Sequence, residues 1–149
     1  MADDPPLSID FILEADPWAG YEDALARALQ LAAQAEEEAG SVAVLLADDA
    51  AIAALNQQFR DKPGPTNVLS FPPAAGEAGF LGDIALAAET IAREAENQGK
   101  SFVHHASHLV VHGFLHLLGY DHLEPEDAER MEARERAILA ELGIEDPYA

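Results

Sequence analysis

The chain contains no cysteine. That excludes a disulfide framework and any thiolate metal site, and it suits a reducing compartment. Basic residues are scarce: 8 lysines and arginines stand against 28 aspartates and glutamates, for a net charge of −20. So acidic a surface disfavours non-specific attraction to nucleic acid or to anionic membranes. No apolar run reaches the roughly 18 residues of a membrane span. The acidic opening MADDPPLSID has no apolar signal core, so a cytoplasmic protein is expected.

What remains is the composition of one ordinary globular domain, taken here as residues 1–149, with 49% hydrophobic residues and enough length for a core of its own. Leu7–Leu13 alternates, with Leu7, Ile9, Phe11 and Leu13 on one face, and reads as a strand. Tyr21–Ala39 carries Leu25, Ala28, Leu29 and Ala32 at helical spacing and is expected to stop at Gly40. Val42–Ala47 reads as a buried strand, and Asp48 and Asp49 can cap a helix running to about Phe59. Val68–Phe71 and Phe80–Leu86 read as strands, followed by helices over Ala87–Gln98, Ser101–Leu118 and Glu124–Leu142. The order βαβαββααα predicts an α+β fold: a small mixed four-stranded sheet covered by about five helices, with a metal site at a helix-turn.

The chain has only six histidines, yet three fall within His112-Gly-Phe-Leu-His116-Leu-Leu-Gly-Tyr-Asp-His122. On a helix His112 and His116 share a face. Gly119 stops the helix, and the turn can bring His122 back toward them. Three imidazoles with an open fourth position make the ligand set of a catalytic zinc. A structural site would need a fourth protein ligand, for which Asp121 and His108 are the candidates. The same spacing occurs in zinc proteases that place a glutamate beside the first histidine as general base. Here that position is Gly113. Amide hydrolysis by that route lacks its base, the glycine leaves space for a bulky substrate, and a phosphodiester suits the metal better.

A phosphate needs a cation. Arg130, Arg134 and Arg136 lie among Glu126, Glu129, Glu132 and Glu135 and read as salt-bridge partners on a solvated helix. Arg60 and Lys62 instead open a loop rich in proline and glycine, where a guanidinium could grip a phosphate bidentately. Ser70 could line a channel, Asp121 could orient a ligand imidazole or satisfy the turn, and His108 reads as structural. His104 and His105 read as surface residues.

HGFLHLLGYDH resembles the signature of the YbeY family of bacterial endoribonucleases, the rRNA maturation factors. The likeness extends to Leu55-Asn-Gln-Gln-Phe-Arg60-Asp-Lys62, to Pro65-Thr-Asn-Val-Leu-Ser-Phe-Pro72, to Leu81-Gly-Asp-Ile84 and to His108-Leu-Val-Val-His112. It implies one Zn2+ per chain held by His112, His116 and His122, with Arg60 as the cleft arginine assisting RNA cleavage. It implies single-stranded RNA as substrate, chiefly ribosomal RNA precursors, with the small ribosomal subunit and its assembly factors as partners. Two features depart from the family pattern: Pro63 follows Lys62, where an acid is usual, and the net charge is −20. Two rivals stay open: a non-catalytic assembly factor with a structural metal, and a metallohydrolase of another substrate.

Overall fold

The computed structural model describes residues 5–60, 64, 66–73, 79–121 and 123–148. Its strands are β1 (Leu7–Leu13), β2 (Gly40–Ala47), β3 (Val68–Phe71) and β4 (Phe80–Ala87). Its helices are α1 (Glu22–Ala35), α2 (Asp49–Arg60), α3 (Ala88–Gln98), α4 (Phe102–Leu117) and α5 (Pro125–Glu141). A short 3-10 turn, Asp16–Trp18, joins β1 to α1. The expected α+β fold and element order are those observed.

The sheet order is β1-β2-β4-β3, with β1, β2 and β4 parallel and β3 antiparallel to β4. Alternate residues of a strand face opposite sides, and here both sides are covered. Val42, Val44 and Leu46 of β2, with Ile84 and Leu86 of β4, join the larger core, which also takes in Leu25 and Leu29 of α1, Val110 and Phe114 of α4, and Ile138 of α5. Ala47, Ala85 and Ala87 point the other way, toward Ile52 and Leu55 of α2. Burial on two faces is why β2 and β4 read as apolar runs rather than as alternating strands. The edge strand β1 is different. Leu7 is buried, Ile9 and Phe11 are partly buried against the larger core, and of the apolar face expected from Leu7 to Leu13 only Leu13, 47% exposed, is left uncovered.

Helix α1 ends at Ala35, short of Gly40, and Glu37 takes a positive φ of 55°. Gly40 belongs instead to β2, paired with Leu7. A side chain there would collide with the Gly79 carbonyl oxygen, so the glycine serves a close approach of two backbones rather than a helix stop. The stop expected at Gly119 is present: it has φ 102° and follows the end of α4, its N–H bonding to the His116 carbonyl at 3.0 Å. At the other end of α4, the Ser101 side chain caps the helix by accepting from the His104 N–H at 3.1 Å. Among the described residues no helix is long and apolar enough to cross a membrane.

Candidate metal centre

Helix α4 lies against β3 and β4, and its position is set at Gly113. A Cβ there would lie 3.0 Å from Ser70 Oγ, 3.1 Å from Ile84 Cγ2 and 3.2 Å from Val68 Cγ2. The glycine therefore makes room for the sheet, not for a substrate, which corrects the expectation from sequence. Rotated away from the sheet, His112 and His116 stand at the wall of a cleft of about 560 Å³ shared with Asn67, Ser70, Asp121 and Leu123. Ser70 thus lines the channel, as the sequence allowed, and its hydroxyl donates to the Gly113 carbonyl at 2.9 Å.

The two imidazoles are closely set. Their ring centroids are 4.6 Å apart and nearly perpendicular, with the Nε2 atoms facing at 3.1 Å. Each Nδ1 has its own partner: Glu135 Oε1 at 3.0 Å for His112, and the Tyr120 carbonyl at 3.0 Å for His116. Both partners are acceptors. Glu135 is fully buried, which by itself would push its carboxyl up, but hydrogen bonds from His108 and His112 outweigh the burial and hold it at about 2. An ionised carboxylate and a carbonyl both call for a proton on Nδ1. In the neutral rings each Nε2 carries a lone pair, and two lone pairs face each other at 3.1 Å. That arrangement repels unless a proton or a metal ion stands between them. Two nitrogens each about 2.05 Å from a tetrahedral zinc would be about 3.3 Å apart, so the pair fits a zinc ion.

His122 and Lys62 lie outside the described residues, and the triad's third member is not placed. Among the described residues no group of three His, Asp or Glu side chains forms a metal cluster. Arg60 is the last residue of α2 rather than part of the loop beyond it, and its side chain lies outside the described residues. Asp121 borders the cleft, and its Oδ1 accepts from the Leu123 N–H at 3.1 Å, so it does shape the turn after Gly119.

A second expectation is overturned at His105, and a third is modified on α5. His105 is buried, at 4% exposure, and pairs with Glu94 at 2.8 Å. Burial lowers its pKa against that carboxylate's pull. His104 is exposed, as expected. Helix α5 is amphipathic, with Met131, Ile138 and Leu139 buried, and Arg130 and Arg136 make the local pairs expected, with Asp127 and Glu132; Arg134 instead reaches Glu36 beyond α1 at 2.6 Å, and Glu135, read as a solvated partner, is buried. Glu135 was therefore missed as a site residue. A signal was present, since Met131, Glu135, Ile138 and Leu139 follow the i, i+4, i+7, i+8 spacing of a buried stripe.

Comparison with known proteins follows the same lines. A family profile described as Endoribonuclease YbeY matches residues 14–143. A relative described by that name from Rhodopseudomonas palustris is 52% identical over 152 residues, covering 94% of this chain and 80% of its own. Another of that description, from Paracoccus denitrificans, is 50% identical and covers 96% of this chain and 91% of its own. The solution structure of a Thermotoga maritima protein superimposes with a TM-score of 0.63 at 27% identity, covering 94% of this chain and 98% of that one.

Proposed function

The chain belongs to the endoribonuclease YbeY family, and on that premise we propose that it is a zinc-dependent endoribonuclease of single-stranded RNA. Its place is the maturation of ribosomal RNA precursors and ribosome quality control in the cytoplasm, with the small ribosomal subunit and its assembly factors as partners. The observation that supports the metal is the facing Nε2 pair of His112 and His116 at 3.1 Å. With His122 as third ligand, the chain offers three neutral nitrogens and no thiolate, a donor set zinc accepts. Zinc held there would supply Lewis acidity toward a phosphate oxygen or a water near neutral pH.

The chain's own residues do the rest. Glu135 and the Tyr120 carbonyl fix the two imidazoles by their Nδ1 atoms, so the ligands need no reorganisation when substrate arrives. Arg60 neutralises the scissile phosphate and positions it. The Asn67 and Ser70 side of the cleft faces the histidines and gives a strand of RNA its second wall. Asn67 itself is held by Glu94, to which its amide donates at 3.1 Å.

The test is cleavage of a labelled single-stranded RNA by the wild type and by His116→Ala, prepared identically at low salt, with zinc content measured on both. Wild-type cleavage that falls to background in a folded His116→Ala protein supports the proposal. Equal cleavage by both marks a contaminant, and silence from both returns the lead to the non-catalytic assembly factor.

A further inference from the structure

Among the described residues Glu135 is the only carboxylate that is fully buried. It interrupts an apolar stripe on α5, between Met131 and the pair Ile138 and Leu139. A leucine there would serve the core at least as well, because replacing a buried charge by a packed apolar side chain is often neutral or stabilising. The charge is kept in place by three donors, and none of them belongs to α5. His108 Nε2 and His112 Nδ1 both approach Oε1, at 2.9 and 3.0 Å, and the Tyr148 hydroxyl donates to Oε2 at 2.9 Å. The Tyr148 ring stands edge-on to His108, with centroids 5.6 Å apart, and Arg136 lies over it at 5.9 Å. Its backbone N–H is tied to Asp146 at 2.8 Å. The segment after α5 thus lies across the carboxylate like a strap.

We propose that Glu135 is the positioning carboxylate of the metal centre, fixing the ring and tautomer of His112, with Tyr148 as the strap that keeps the carboxylate in place. This rests on the metal reading above and names what sets the affinity of that site. His108 shares the same oxygen, so it braces the carboxylate rather than touching substrate. The chemistry is that of a ligand imidazole whose second nitrogen donates to a carboxylate, which orients the ring and raises its basicity. Tyr148 is a separate lever, because it is 41% exposed and its hydroxyl can be removed without opening the core.

The test uses the full chain and zinc alone. Zinc affinity is measured by competition with a chelating indicator for the wild type, Glu135→Gln and Tyr148→Phe, with helicity recorded for each. Glu135→Gln is expected to weaken zinc binding about 10- to 100-fold, and Tyr148→Phe by a few-fold. The tautomer of His112 is read in the metal-free protein by long-range nitrogen–proton NMR. It is expected to be the Nδ1–H form in the wild type and to lose that form in Glu135→Gln. Affinities of both variants within twofold of the wild type, or an Nε2–H form in the metal-free wild type, would overturn the inference. If Glu135→Gln does not fold, Tyr148→Phe and the wild-type tautomer decide. Zinc binding that responds to the variants, in a protein that cleaves no RNA, overturns the endoribonuclease proposal and leaves this one standing. A wild type that binds no zinc overturns both.

Discussion

The Ser70 hydroxyl donates to the Gly113 carbonyl at 2.9 Å, pinning the helix that carries two candidate ligands to the strand that forms the opposite wall of the cleft. The bond spans 43 residues of sequence. It sits where helix and sheet approach closely, at Gly113, and it makes the width of the cleft a property of packing rather than of a loop.

Adding one methyl group at that point is informative. Gly113→Ala gains helix propensity worth about 1 kcal/mol, but its Cβ would meet Ser70, Ile84 and Val68 at 3.0 to 3.2 Å. Overpacking of this kind costs about 1–3 kcal/mol. A net loss of about 1 kcal/mol in urea unfolding is expected, and a gain in stability would show that the helix can shift freely. Gly113→Glu, which restores the protease-like motif, is expected to be far worse, since it drives a carboxylate into the sheet.

Acid should expose the buried carboxylate. Glu135 titrates at about 2 in the folded chain against an ordinary value of 4.5. Its contribution to stability is therefore complete above the unfolded value and drains away as the pH falls from about 5 toward 2. The difference in urea midpoint between wild type and Glu135→Gln, both metal-free, should be constant at pH 6–7 and shrink through that window. A difference that stays constant down to pH 2 would mean that the carboxylate is not held in its charged form.

RNA binding by the isolated protein should be weak and should track salt with a shallow slope. Arg93, Arg130, Arg134 and Arg136 are engaged with Asp49, Asp127, Glu36 and the Glu132–Asp146 pair respectively. If Arg60 and Lys62 are the two contacts to phosphate, the slope of log affinity against log salt for a single strand is about −1.4. Fluorescence anisotropy at several salt concentrations measures it. A slope steeper than about −4 would require a basic track that the composition does not provide.

The elements themselves were legible because their signals are local. The spacing of Leu25, Ala28, Leu29 and Ala32 marks α1. Gly119 marks the end of α4 for the same reason. The His112–His116 pair was legible too, since a four-residue spacing on a helix fixes a shared face without reference to the rest of the fold. The end of α1 was misplaced because Gly40 answers to Gly79, nearly forty residues away, and no local rule contains that contact.

The sequence by itself determined the order of elements, the absence of thiolate chemistry, the facing of His112 and His116 and the family signature around them. Each depends on neighbours within a few residues or on composition, where backbone geometry and residue chemistry act without a partner. Tertiary structure alone decided that Gly113 makes room for the sheet rather than a substrate, that His105 is buried against Glu94, and that Glu135 leaves the surface to hold His112. Those outcomes depend on which faces meet, and a charged residue on a helix reads as solvated until the surface that covers it, here α4 and Tyr148, is known.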